Sequence, residues 1–273
     1  MTDKTAPRLT GIPETLLIPL FIRARETGRS DALLKDDKAV ELVGRIAYDF
    51  SRIKLQQHDI LGLILRVREF DRFVRKFLEA HPDGVVVHIG CGLDARFERL
   101  DNGRVEWFDL DLPEVIRLRQ ELMPPASARC HLLATSVFDP GWMEALAAHR
   151  PGPVLFVVEG VFPFFEAAQL RALLQQLRSR FPGAELVFDA HAPWVMHSDN
   201  LQLALSGVKA RLRFGLRRPR DVESWAEGIR LLEEWYYFGT AEPRVRPYRW
   251  MYRIPFLRRS TGIFHYLLGE SLS

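Results

Sequence analysis

Two cysteines, Cys91 and Cys130, are all the thiol chemistry in this chain of 273 residues. Neither has a partner at metal-ligand spacing. A cysteine zinc site and a disulfide framework are therefore excluded, and a reducing cytoplasm is the expected setting. Long apolar runs are missing too. The stretch 16–22 is interrupted by Pro19 and is far shorter than a bilayer requires, so no membrane partner is expected. Residues 1–10 are polar and lack the apolar centre of a signal peptide. An excess of charge of one sign is also lacking. Lys+Arg number 38 against 35 Asp+Glu, and a net charge of +3 does not by itself call for a nucleic-acid partner. With 47% hydrophobic and 27% charged residues, the chain can bury a sizeable core as one large domain or a domain with a cap.

Residues 13–80 read as helical throughout. Pro13 can open the first helix, because an N–H is unbonded there anyway, and Glu14 then lies in a first turn that favours an acid. Over 59–80, residues such as Ile60, Ile64, Val67, Phe70, Val74 and Phe77 recur at three- and four-residue steps and form one apolar stripe. His81-Pro82-Asp83-Gly84 ends it, since proline cannot extend the hydrogen-bond ladder. Short, nearly all-apolar runs follow at 85–89, 105–109, 130–134, 154–158 and 186–189, separated by helical stretches such as 112–122 and 167–181. Strands of that kind belong in a parallel sheet covered on both faces. In the last third, 221–234 reads as a helix, 235–240 as a strand and 249–254 as another. The expected fold is α/β: a Rossmann-like, doubly wound, mostly parallel sheet. Two parts are expected, a helical cap over 1–82 and the sheet domain over 83–273.

The segment that carries chemistry is Val85-Val86-Val87-His88-Ile89-Gly90-Cys91-Gly92-Leu93-Asp94-Ala95-Arg96, a buried strand entering a Gly-x-Gly turn and then a helix. Glycines allow the sharp turn and let a cofactor approach the backbone. Asp111 lies 21 positions after Gly90, close to the ~20-residue offset at which an acid reaches ribose hydroxyls. Asp109 competes for that role, and Asp111 is favoured. Gly90, Gly92 and Ala95 also fit the dinucleotide pattern, so the turn alone does not separate an NAD enzyme from a methyltransferase. Asp94 does. A carboxylate in the turn repels a pyrophosphate but suits S-adenosylmethionine, whose sulfonium and amino group are both positive.

Four motifs in order then carry a resemblance: Gly11-Ile12-Pro13-Glu14-Thr15-Leu16-Leu17-Ile18-Pro19-Leu20, the glycine turn through Arg96, Trp107-Phe108-Asp109-Leu110-Asp111-Leu112-Pro113-Glu114-Val115, and Glu159-Gly160-Val161. The chain resembles the leucine carboxyl methyltransferase superfamily and, within it, the tetracenomycin-type polyketide O-methyltransferases. The resemblance implies S-adenosylmethionine as cofactor and a small-molecule acceptor. It implies that Gly90, Cys91 and Gly92 line the methionine portion and that Asp111, followed by Leu112, binds the ribose. It further places Arg66 on the cofactor carboxylate, Ser136 and Val137 (with Asp139 after them) around the adenine, and Glu159 near the amine and the transferred methyl. A guanidinium fork suits a carboxylate, since two parallel hydrogen bonds fix its orientation. Two departures stand out: Phe164 where the family has a tyrosine, and Ala95 where it has a threonine.

Methyl transfer is an in-line displacement, and the protein mainly aligns nucleophile and methyl and excludes water. A carboxylate acceptor needs no base, whereas a phenol or alcohol gains from one. Candidates at the end of the fifth strand are His191 and Asp189, with His197 in the next loop. Leu16, Leu17, Ile18, Leu20, Phe21, Phe162, Phe164, Phe165, Trp194 and Met196 are expected to wall the pocket or to be plain core. Three alternatives stay open. They are an NAD(P)-dependent oxidoreductase, a protein carboxyl methyltransferase, and a basic binding protein using arginines and aromatics between Arg244 and Arg259.

Overall fold

A computed structural model describes residues 5–7, 15–53, 55–149, 152–197, 200 and 210–269. The helix opening at Pro13 and Glu14 lies outside the described residues. The N-terminal part is three helices rather than a continuous helical run: α1 (Leu17–Thr27), α2 (Asp37–Arg45) and α3 (Gln57–Ala80). The first break has a local cause. Asp36 accepts from the backbone N–H of Ala39 to cap α2, and its other oxygen receives the Arg23 guanidinium of α1 at 2.8 Å. At the second break, Gln56 and Asp59 form a capping box that starts α3. The apolar stripe of α3, Phe70, Phe73, Val74 and Phe77, packs on Val86, Trp107, Leu155 and Val157.

The sheet holds seven strands in the order β3-β2-β1-β4-β5-β7-β6. These are β1 (Val85–Ile89), β2 (Glu106–Asp111), β3 (Cys130–Ala134), β4 (Val154–Val158), β5 (Ala184–His191), β6 (Ile229–Tyr236) and β7 (Thr261–Leu268). Strands β1 to β5 pair in parallel, and β7 inserts antiparallel between β5 and β6. Between the strands lie α4 (Arg96–Leu100), α5 (Pro113–Leu122), α6 (Gly141–Ala148) and α7 (Ala167–Arg180). Alternation along each strand splits the core. Val85, Val87 and Ile89 pack with Phe156, Leu170 and Leu174 on one face, while Val86 meets the α3 stripe on the other. Burial on both faces is why β1 and β4 are almost wholly apolar.

The last third differs from the sequence reading. The segment 221–234 is not a helix. A 3-10 turn (Pro219–Trp225) is followed by Gly228, whose φ of 81° breaks any helix, and then by β6. Burial alternates along β6, but Leu232 is exposed and Glu233 takes an inner position to meet Arg72 and Lys76, so residue type does not show the alternation that would have marked the strand. Residues 235–240 only finish β6 before turning at Tyr237–Gly239. Residues 249–254 are not a strand either, because α8 (Arg249–Arg253) and α9 (Pro255–Arg258) occupy them. Pro247 and Pro255 flank this segment, and proline cannot donate to a ladder.

Candidate active site

Strand order reverses on either side of β1, between β2 and β4, and open α/β sheets place their ligand crevice at such a point. A cavity of about 380 Å³ opens there, outside the carboxyl ends of β1, β2, β4 and β5, with α1 and α3 across it. Its lining includes Arg66, Gly90, Cys91, Gly92, Asp111, Leu112, Ser136, Val137, Glu159 and His191. These ten residues therefore share one cavity, whereas Asp139 is not in its lining. Of the further base candidates, Asp189 and His197 are not in its lining. Asp189 is fully buried, and His197 is exposed on the following segment.

The turn is built on close approach. Gly90 has φ 70°, its N–H donates to Leu110 O at 2.7 Å, and a methyl added there would lie 2.2 Å from Val161 Cγ2. Gly90→Ala is expected to cost on the order of 2–4 kcal/mol, from left-handed strain plus overpacking. A urea titration of Gly90→Ala against the double variant with Val161→Ala checks this. The second change should return the overpacking share, and an unaltered unfolding midpoint in Gly90→Ala would refute the account.

Asp111 closes the other side of the turn. One oxygen accepts from Gly92 N and the other from Leu112 N, both at 2.8 Å. Burial pushes its carboxyl up, against those two N–H donors. Each oxygen keeps lone pairs for a further donor. Asp109 faces elsewhere. It is buried against Arg119 of α5 at 2.5 Å and accepts from the Trp107 indole. Arg119 also donates to the carbonyls of Gly92 and Asp94, so Asp109 holds the turn through α5 rather than lining the cavity.

Beneath the cavity lies a buried ionic group that sequence reasoning did not identify. Arg66 donates to Glu159 Oε1 at 3.0 Å and to Asp189 Oδ2 at 3.2 Å, and Gly160 N donates to Asp189 Oδ1 at 2.6 Å. Gly160, at φ 68°, brings its Cα so close that a side chain there would begin 3.3 Å from Arg66 Nη2. Arg96, fully buried, donates to Asp71 at 2.8 Å and to Glu159 Oε2 at 2.5 Å, and pairs with Asp94 at 3.3 Å. Its Nη1 lies 3.1 Å from His88 Nε2. Because a guanidinium only donates, that nitrogen accepts and the His88 ring proton resides on Nδ1, toward Asp109 Oδ1 at 3.5 Å.

Burial works to raise the Glu159 carboxyl, but Arg96 and Arg66 outweigh it and hold it below the usual glutamate range. Asp94 is likewise held well below the aspartate range, where Arg99, Arg96 and Arg23 overcome burial. Asp94 is thus not a bare charge in the turn, and its repulsion of a phosphate is muted by its partners. Burial pushes the Cys91 thiol well up, which removes it as a nucleophile.

Apolar side chains also line the cavity, among them Ile18, Pro19, Leu55, Leu63, Phe164 and Phe165, and so does His191. His191 Nδ1 meets Thr261 Oγ1 of β7 at 3.1 Å. Other expected wall residues lie elsewhere. Leu17, Leu20 and Phe162 are core, Phe21 stacks on Phe50, and Trp194 is about half exposed. Among the described residues no cluster of His, Cys, Asp and Glu could hold a metal ion, and no helix is long and apolar enough to cross a membrane.

The charged lining fits a cationic cofactor. Three carboxylates (Asp94, Asp111 and Glu159) face two guanidinium groups (Arg23 and Arg66) among the described residues. S-adenosylmethionine, with two positive groups and one negative, complements that balance, while the Gly90 turn leaves its backbone open to close approach.

Comparison with known proteins agrees. The profile of the leucine carboxyl methyltransferase family matches residues 17–178. The tetracenomycin polyketide synthesis O-methyltransferase TcmP of Streptomyces glaucescens is 37% identical over 229 residues, 84% of each chain. The S-adenosyl-L-methionine-dependent methyltransferase dpfgK of Gibberella zeae is 28% identical over 269 residues, covering 91% of this chain and 90% of that one. Among solved structures, a DUF574 family protein from Streptomyces avermitilis superposes with a TM-score of 0.55 at 15% identity, over 91% of this chain and 96% of that one. An S-adenosylmethionine-dependent methyltransferase from Anabaena variabilis gives a TM-score of 0.50 at 13% identity, over 81% and 99%. The chain belongs to the leucine carboxyl methyltransferase family and is an S-adenosylmethionine-dependent methyltransferase.

Proposed function

We propose that this enzyme methylates an oxygen of a polyketide-like, largely aromatic acceptor. The observation that carries the reading is one cavity lined both by the glycine turn with its carboxylates and by apolar side chains such as Leu55, Leu63, Phe164 and Phe165. The similarity to TcmP, a polyketide-synthesis O-methyltransferase, supports the acceptor class. Protein carboxyl methylation and nucleic-acid binding are set aside, because the apolar lining suits a drug-sized molecule and the basic segment 244–259 lines no part of the cavity. The division into a cap (1–82) and a sheet domain (83–273), and a cytoplasmic location, belong to the same reading.

The cofactor supplies a methyl on an already activated sulfur. Arg66 holds its carboxylate, Gly90, Cys91 and Gly92 line its methionine portion, Asp111 with Leu112 receives the ribose hydroxyls, and Ser136 and Val137 flank the adenine. Glu159, kept ionised by Arg96 and Arg66, acts as a fixed anion toward the cofactor amine and takes up no proton. His191, held at Nδ1 by Thr261, takes the proton of a hydroxyl acceptor, and a carboxylate acceptor makes no use of it.

Calorimetry with S-adenosylmethionine and NADH, then product formation with paired aromatic phenols and aromatic acids, tests this reading. His191→Gln should slow phenol turnover by roughly 100-fold while leaving cofactor affinity unchanged. Turnover of phenols at the wild-type rate would remove His191 from the chemistry. NADH binding without S-adenosylmethionine binding would remove the whole reading.

A further inference from the structure

Among the described residues, the chain beyond β5 contributes one side chain to the cavity lining, Leu212, and it lies outside the segment matched by the family profile. Leu212 belongs to an extended strip over 210–217 that joins no strand of the sheet. Residue types alternate along it: Leu212, Phe214 and Leu216 are buried, while Arg211, Arg213 and Arg217 are exposed. The strip is tied to two residues of the cavity lining. The N–H groups of Arg213 and Phe214 donate to Pro163 O at 2.7 and 3.0 Å, and Leu216 N donates to His191 O at 2.8 Å. Asn200 clamps Leu212 itself, its Oδ1 accepting from the backbone N–H at 2.7 Å and its Nδ2 donating to the carbonyl at 3.1 Å. Further along, the Phe214 ring meets Trp225 edge-on, with centroids 5.8 Å apart. Gly215 lets the strip lie close against the segment after β5, since a side chain there would begin 2.9 Å from Pro193 Cα.

We infer that Leu212 is a specificity-determining residue for the acceptor: from this pinned strip, its side chain sets how large an aromatic molecule the cavity takes. The inference rests on the aromatic-acceptor reading given above. The two anchors of the strip place Leu212 with the residues of that reading. Pro163 directly precedes Phe164 and Phe165 in the lining, and His191 is the residue assigned to the acceptor proton. Every residue assigned to the cofactor, from Arg66 to Glu159, comes instead from within the matched segment. Leu212 is held through both of its own backbone groups and through the two N–H groups that follow it. Such a wall yields little, so an oversized ligand loses affinity rather than moving the chain. Apolar pockets of this kind discriminate by roughly 10-fold or more per methylene.

Two fluorescent phenols, 1-naphthol with two fused rings and 2-anthrol with three, separate selection from plain packing. Each is titrated by its own emission into S-adenosylhomocysteine-saturated wild-type protein, Leu212→Ala and Leu212→Phe, and S-adenosylhomocysteine affinity is measured by calorimetry. The readout is the affinity for 2-anthrol relative to 1-naphthol. That ratio should rise about 10-fold in Leu212→Ala and fall about 10-fold in Leu212→Phe, with S-adenosylhomocysteine within about twofold of wild type in both. Leu212→Val, a milder cut, should raise the ratio by less and carries the test if Leu212→Ala does not fold. Opposite shifts cannot come from a partly unfolded sample, which weakens both phenols alike. A ratio within about twofold of wild type in both variants, or shifted the same way in both, would overturn the inference and leave the aromatic-acceptor reading standing. Loss of S-adenosylhomocysteine affinity in step with the phenols would also overturn it, because Leu212 would then support the cofactor. Wild-type protein that binds S-adenosylhomocysteine but neither phenol would instead remove the aromatic-acceptor reading, and this inference with it.

Discussion

Asp111→Ala is expected to weaken S-adenosylhomocysteine binding by roughly 30- to 100-fold, from the loss of a charged acceptor to two ribose hydroxyls plus two backbone donors left unpaired. The backbone share is specific to this protein, because Gly92 N and Leu112 N both donate to that carboxylate. Asp111→Asn keeps oxygen for one donor and should fall between the two. The effect has a pH signature. Burial raises the Asp111 carboxyl above the ordinary aspartate range, and the ionised form is the better ribose acceptor. Wild-type affinity should therefore fall as pH drops through that raised value, and Asp111→Ala should show no such fall. Calorimetry over a descending pH series checks both. Wild-type affinity in Asp111→Ala would sink the assignment.

The second large effect is on stability. Arg96 is wholly buried and pairs with Asp71, Asp94 and Glu159. Arg96→Met keeps most of the volume and removes one cation from the group, leaving Arg99 on Asp71 and Asp94 and Arg66 on Glu159. Breaking a buried ion pair from one side costs about 3–5 kcal/mol, which lowers the melting temperature by roughly 10 °C or more in a protein of this size. The folded Glu159 carboxyl is depressed, so the stability it brings is present above its unfolded value and lost as pH falls through the folded one. The deficit of Arg96→Met should therefore be widest near neutrality and narrow in acid. A melting point within 2 °C of wild type at pH 7 would show that the group tolerates one fewer cation.

Much of the sheet was readable because burial on both faces forces a plain code. Val85–Ile89, Cys130–Ala134 and Val154–Val158 are strands where their apolar runs lie. The glycine turn and Asp111 were readable for a related reason, since a strand, a sharp turn and an acid one strand later are local in sequence. The C-terminal strands were not. Exposed Leu232 and inward Glu233 hide the alternation of β6, and β7 carries no signal that the sequence reading uses. The ionic group was hidden by distance. Arg66 and Asp189 are 123 residues apart, and nothing near either residue distinguishes a buried arginine from one on a solvated helix face. Arg96 stood inside the quoted motif, yet its three carboxylate partners come from α3, the turn and the end of β4.

That separation has a kinetic consequence. Contacts spanning 93 residues between Arg66 and Glu159, and 123 between Arg66 and Asp189, form only after long loops have closed. Closure entropy is lost before such contacts return anything, so they come late in folding. During synthesis α3 emerges well before β5, and for that interval Arg66 has no Asp189 to meet. On the role proposed for Arg66, the capacity to hold a cofactor carboxylate is then among the last properties the chain acquires. Cofactor capture during refolding should lag the return of helical signal, so that a bound nucleoside reports on completed topology rather than on collapse.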